Sequence, residues 1–147
     1  MKTTLKAILD AKGHEVFYVS PRASIKEAID AMNEHRVGAL LVIDKENVVG
    51  IFTERDVLTR VFGSSHDIGA TPVSKVMTRQ PIMVEPTITV EEAMGIVTEK
   101  RCRHLPVEEE GKVIGLVSIG DLTRRVAHLQ KEEIEHLTKY ITGQYPG

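Results

Sequence analysis

Two stretches of the chain carry apolar residues at helical spacing, and each opens on the same polar signature. Ser24-Ile25-Lys26-Glu27 and Thr89-Val90-Glu91-Glu92 both set a hydroxyl three residues ahead of a glutamate. That reciprocal arrangement closes the first turn of a helix. The apolar face follows at Ile25, Ala28, Ile29 and Met32, and again at Val90, Ala93, Met94 and Val97, a spacing that predicts amphipathic helices. After each helix the period shortens to that of strands. Ala39-Leu40-Leu41-Val42-Ile43 and Leu105-Pro106-Val107 read as first strands, and Val48 to Thr53 and Val113 to Ser118 as returning strands. The polar turns Asp44-Lys45-Glu46-Asn47 and Glu108-Glu109-Glu110-Gly111 lie between them. Asp56 and Asp121 then cap further helices. Pro106 cannot donate to a ladder, so it is expected at a strand start or edge.

The pattern is one unit written twice. With an offset of 65 residues, Val19–Val61 falls on Val84–Val126 without a gap. Identities include Pro21/Pro86, Glu27/Glu92, Arg36/Arg101, Gly50/Gly115, Asp56/Asp121 and Arg60/Arg125. An internal duplication follows, each copy reading strand, helix, strand, strand, helix. Short helices lead in at Leu5-Lys6-Ala7-Ile8-Leu9 and at Pro72–Met77, the second with Thr71 as cap and Pro72 in the first helical position. Gly63–Ala70 is small and polar and reads as a linker. Beyond Asp121 a rough apolar stripe, Leu122, Val126, Leu129, Ile134, Leu137 and Ile141, predicts a helix to about Tyr140, stopped at Gly143. The expected organisation is a first repeat over 1–65, a second over 66–127 and a helical tail over 128–147.

Composition narrows the class. The chain has 147 residues, 41% hydrophobic and 27% charged, the balance of a soluble globular protein. Its net charge of -2 gives no electrostatic reason to expect nucleic acid. Aromatics are 4% and tryptophan is absent, which removes the stacking platforms of a single-strand binder. No apolar run is long enough for a membrane span, and the first residues lack the pattern of a signal peptide. With Cys102 as its only cysteine the chain can form no internal disulfide, and a cytoplasmic location is expected. No Gly-x-Ser-x-Gly, Walker loop, Cys-x-x-Cys or His-Glu-x-x-His occurs, so the expectation is a protein that is not an enzyme. His128 and His136 stand about two helical turns apart, too far for one metal, and no metal is expected.

The unit order resembles CBS domains. So do the Pro-x-x-x-Ile/Val openings, Arg-His-Leu-Pro-Val at 103–107, the strands around Gly50 and Gly115, and the endings Thr53-Glu54-Arg55-Asp56 and Ser118-Ile119-Gly120-Asp121. The resemblance spans nearly the whole chain. It implies an α/β (α+β) fold of two βαββα repeats related by pseudo-twofold symmetry, with no catalytic domain attached. It further implies adenosine ligands in the cleft between repeats, the Asp of each Ser/Thr-x-x-Asp holding ribose hydroxyls and the Ser/Thr reaching phosphate. The chemistry is sound, since a carboxylate can accept two adjacent hydroxyl protons.

By the same resemblance each Asp is completed by the segment before the first hairpin strand of the other repeat. Site one then joins Thr53, Arg55 and Asp56 to Arg103 and His104, cations suited to phosphate. Site two joins Ser118 and Asp121 to Gly38 and Ala39, with no obvious cation. The base would be read by backbone near Phe17-Tyr18-Val19 and Ile82-Met83-Val84. The implied ligand is AMP first, with ADP, ATP or NAD as alternatives, and the implied partners are a second copy of the chain and a protein effector. Plain readings stand beside these. Each Asp can be a helix cap alone, and Arg103 and His104 can pair with Glu108-Glu109-Glu110. Arg36 and Arg101 share a structural role, and Cys102 is a small buried apolar residue. The competing function is a constitutive dimerisation scaffold with vestigial sites.

Overall fold

The computed structural model of the protein describes residues 3–141, with side chains through 138. The chain divides into two compact units, Glu15–Met83 and, together, the segments up to His14 and from Val84 onward. Each repeat is therefore completed by the lead-in that precedes the other repeat in sequence.

In the first unit, β1 (Tyr18–Val19) lies parallel to β2 (Ala39–Asp44), which pairs antiparallel with β3 (Asn47–Thr53) and, through β3, with β4 (Thr78–Arg79). The helix α2 (Ile25–His35) follows β1, and both halves of its expected capping box are formed: Glu27 N–H donates to Ser24 Oγ and Ser24 N–H to Glu27 Oε1. Its buried face, Ile25, Ala28 and Met32, meets Leu40, Val42 and Phe52 from the sheet. Each such fully buried aliphatic or aromatic side chain contributes about 1.5–3 kcal/mol. Strand β2 is buried from Ala39 to Val42, so its sequence runs unbroken instead of alternating. The helix α3 (Glu54–Asp56) makes one turn and continues as a π-helical turn, Val57–Val61.

The second unit repeats this plan. Helix α4 (Val90–Lys100) precedes the hairpin of β5 (His104–Glu109) and β6 (Lys112–Ser118), and α5 (Ile119–Ile141) follows. The expected exposed turn forms with Glu110 and Gly111 at positive φ. Helix α1 (Leu5–Lys12), capped by Thr4, packs on β6. It is longer than the expected lead-in, while its counterpart is only a 3₁₀ turn, Val73–Lys75, with Pro72 in the cap position and not the first helical one. The expected stop at Gly143 and the side chain of Ile141 lie outside the described residues.

Pro106 is the third residue of β5 and not its start, but its missing donor faces the open side. In the first repeat Leu41 N–H donates to the Phe17 carbonyl and helps hold β1. Pro106 occupies the matching position and has no N–H to offer. The parallel pairing there shrinks to a single bridge between Val84 and Val107. Arg36 and Arg101 do share a structural role. Both stand at left-handed helix C-caps with φ 54°, a conformation more often given to glycine.

The lead-ins explain the paired glycines. A Cβ on Gly50 would lie 2.5 Å from Met77 Sδ and 2.9 Å from the Thr78 carbonyl oxygen. One on Gly115 would lie 2.5 Å from Leu9 Cδ2. Beyond that crossing, His14 sets Nδ1 2.9 Å from the Ile114 carbonyl oxygen and Nε2 2.8 Å from Asp10 Oδ1. Both are acceptors, which the ring satisfies together only as imidazolium. The Asp10 bond first, and the Ile114 carbonyl second, hold its pKa above the usual histidine range.

Gly50→Ala should destabilise the protein by about 1–3 kcal/mol, the usual cost of overpacking against backbone. Urea unfolding checks this, and an unchanged midpoint would show that β4 moves freely.

Candidate ligand site: two buried carboxylates at strand–helix joints

In each repeat the returning strand passes directly into a helix, and the first turn of that helix needs acceptors for its orphan N–H groups. Thr53 and Ser118 are the capping residues, and Asp56 and Asp121 lie three positions on. The expectation that each Asp is itself the cap is corrected by one turn. Asp56 N–H donates to Thr53 Oγ1 at 3.2 Å, and Thr53 N–H donates back to Asp56 Oδ2 at 3.0 Å. Asp121 N–H donates to Ser118 Oγ at 3.1 Å, and Ser118 N–H donates to Asp121 Oδ2 at 2.8 Å. Asp56 and Asp121 are 5% and 8% exposed, and both are buried with the core.

The remaining partners differ. Asp56 is rimmed by hydroxyls: Thr53 Oγ1 lies 3.2 Å from Oδ2, and Thr78 Oγ1 lies 3.1 Å from Oδ1. Its ion-pair partner Arg60 is longer, Nε standing 3.6 Å from Oδ1 while an Nη group donates to the Met77 carbonyl at 2.7 Å. Asp121 is held by cations. Lys12 Nζ lies 2.7 Å from Oδ2 and Arg124 Nη2 2.6 Å from Oδ1, and Lys12 also donates to the Leu116 carbonyl at 2.9 Å. Burial by itself pushes the Asp121 carboxyl up, but the Lys12 ammonium and the Ser118 donors outweigh it and hold the pKa below the ordinary value.

The sequence reading assigned no cation to the Asp121 side, and the structure puts two there. Arg124 was legible, three residues along the same helix face from Asp121. Lys12 was not, lying 109 positions away. Its one signal is the 65-residue offset, which sets Lys12 on Met77, next to Thr78.

Of the other expected site residues, Gly38 and Ala39 lie beside Thr53–Asp56 within their own repeat. The Gly38 carbonyl accepts Glu54 N–H at 3.0 Å, and Ala39 is in register with Thr53. Gly38 also leaves room for Glu54, since a Cβ there would meet Glu54 Oε1 at 2.8 Å. In the second repeat the Arg103 carbonyl accepts Ile119 N–H at 2.8 Å and His104 is in register with Ser118. The side chains of Arg55 and Arg103 are exposed, and no ion pair joins Arg103 to Glu108, Glu109 or Glu110 among the described residues. Cys102 is half-buried, and burial pushes its thiol up. Among the described residues no group of three or more His, Cys, Asp or Glu is placed to hold a metal ion, and no helix is long and apolar enough to cross a membrane.

The repeated joint is matched by known proteins. The CBS domain family matches residues 8–63 and again 73–128. The chain belongs to the CBS-domain family. Among CBS relatives, the mitochondrial CBS domain-containing protein CBSX3 of Arabidopsis thaliana is 34% identical over 97% of this chain and 74% of its own length. The solved CBS domain structure NE2398 is 42% identical with a TM-score of 0.82, covering 86% of this chain and 99% of that one. CBSX2, solved in complex with AMP, is 26% identical with a TM-score of 0.70 over 86% of this chain and 97% of that one.

Asp121→Asn keeps an acceptor for Ser118 N–H but loses both ion pairs. Because Lys12 and Arg124 are partly solvated, the cost at neutral pH should be about 1–2 kcal/mol. A lowered folded-state pKa contributes stability in full above the ordinary carboxylate value of 3.8 and loses it as pH falls through the folded value. The gap between variant and wild type in urea unfolding should therefore close below about pH 4. A gap that is the same at pH 3 and pH 7 would mean the ion pairs contribute nothing.

Proposed function

We propose that this CBS pair is an adenine-nucleotide sensor that binds its ligand without transforming it and signals by a change of conformation. The observation that carries the reading is the Asp56 joint. A buried carboxylate there is surrounded by threonine hydroxyls and backbone N–H, partners that a ribose diol can replace with groups of the same kind. The AMP complex of CBSX2 supports the same ligand class. AMP is the first candidate, with ADP, ATP and NAD as alternatives. Thr53, Arg55, Arg103 and His104 are proposed to serve the phosphate of the nucleotide that Asp56 holds. Ser118 and Asp121, with Gly38 and Ala39, form the second and weaker candidate, because Lys12 and Arg124 already engage the Asp121 carboxylate.

The proposed assembly is a cytoplasmic homodimer read by a protein effector. Exposed apolar side chains on both units support self-association: Leu58 and Phe62 after α3, and Ile134 and Leu137 on α5, are 53–78% exposed. Light scattering at micromolar concentration should report a dimer, and a monomer alone would reject this part of the reading.

Ligand present at about 100 times its Kd stabilises a protein by roughly 2.7 kcal/mol. At least one of AMP, ADP, ATP, NAD or S-adenosylmethionine should raise Tm. If none does at millimolar concentration, the constitutive scaffold takes the place of the sensor.

A charge-assisted hydrogen bond contributes about 1.5–3 kcal/mol, so Asp56→Ala should weaken AMP about tenfold or more. Arg103→Ala should weaken AMP by a similar factor and spare adenosine, which has no phosphate. Calorimetry with AMP that leaves Arg103→Ala at wild-type affinity and Asp56→Ala impaired would remove Arg103 from the site.

A further inference from the structure

Within the second unit, α1 and α5 line an open cavity of about 340 Å³, at the small end of the range of ligand pockets. Its wall on the α1 side is apolar, formed by Ala7, Ile8 and Ala11. Charge lines the rest: Lys12 at the end of α1 and Arg124 and Arg125 on α5 are three cations against the single carboxylate of Asp121, with His128 beside them. Asp121 accepts from Lys12 and Arg124, and among the described residues no bond joins it to Arg125. Arg125 reaches only Thr3 Oγ1, at 3.4 Å, and its Nε–H is buried with no acceptor among the described residues.

In the first repeat the matching side chains are engaged otherwise. There the residue matching Arg125 is Arg60, which donates to the Met77 carbonyl, and the residue matching Arg124 is Thr59, whose hydroxyl is taken by the Arg55 carbonyl. The excess of cations is thus confined to the unit that also has a full α1 helix to wall a pocket.

We propose that the α1–α5 cavity binds a small organic phosphate. The phosphate oxygens would accept from Arg125, Lys12 and Arg124, whose guanidinium forks and ammonium suit a tetrahedral oxyanion. The organic body would lie on Ala7, Ile8 and Ala11. This site lies inside one repeat and requires no ribose, and it shares Asp121 with the second candidate nucleotide site proposed above. Its occupant ties the end of α1 to α5 and so bears on the same Lys12–Asp121 contact.

The test is an amide NMR titration of the full chain with inorganic phosphate and with phenyl phosphate, against chloride at matched ionic strength. Saturable shifts should appear at Ala7, Ala11, Arg125 and His128, with phenyl phosphate the tighter probe. Lys12→Gln and Arg125→Gln should each weaken phenyl phosphate about tenfold. No saturable shift at these amides at millimolar probe, or wild-type affinity in either folded variant, overturns the proposal. Should Arg125→Gln lose its dispersed spectrum, Lys12→Gln, whose side chain is partly exposed, decides alone. Adenosine carries no phosphate and reports the nucleotide reading separately on the same samples. An adenosine response without a phosphate response rejects only this site, and the converse rejects only the nucleotide reading.

Discussion

The joint between the returning strand and the following helix governs each repeat. Thr53 with Asp56, and Ser118 with Asp121, exchange side-chain and backbone hydrogen bonds in both directions and satisfy two donors at once. The price of that closure is a carboxylate buried beside the core, which must find partners or be neutralised. Everything near the joint can be understood as an answer to that requirement. Lead-in segments arrive from a distant part of the chain and deliver the partners: Thr78 to Asp56, and Lys12 to Asp121. Glycines at 50 and 115 let those segments cross the strands closely enough to do so.

What was legible in the chain follows from how far apart the cooperating residues lie. Capping boxes, helical faces and hairpins are local, and the 65-residue offset doubled the evidence for each of them. The Ser/Thr-x-x-Asp pairs were legible for the same reason, although the cap is the Thr or Ser and the Asp lies three positions on. Contacts between lead-ins and joints were not legible, because they span 22 residues in one repeat and 109 in the other. Nothing in a period or a motif says which segment will cover a joint. The exchange of lead-ins between repeats was hidden for that reason, and with it the cations beside Asp121.

Pro106 shows a subtler limit. Its sequence position argued for a strand start or edge, and the physical content of that argument survives, since the donor it lacks points toward the side where pairing is nearly absent. The proline offers one donor fewer to a reduced pairing: β1 has a one-residue counterpart at Val84, held by Val84 N–H to the Pro106 carbonyl and by Glu108 N–H to the Val84 carbonyl. Two repeats with aligned sequences thus differ at this edge, where Leu41 and Pro106 stand at matched positions.

The two carboxylates diverge by the same logic, and the difference is chemical before it is functional. A neutral hydrogen bond contributes about 0.5–1.5 kcal/mol net, and one to a charged donor about 1.5–3. Asp56 is rimmed by hydroxyls, with Arg60 farther off at 3.6 Å. An incoming hydroxyl that displaces Thr78 exchanges like for like. Asp121 is engaged by an ammonium at 2.7 Å and a guanidinium at 2.6 Å. An incoming hydroxyl there must replace a charged donor with a neutral one, and the displaced Lys12 must find a new partner or return to water. Duplication therefore supplied two copies of one joint, and the choice of threonine or lysine on the arriving segment set how readily each carboxylate can change partners.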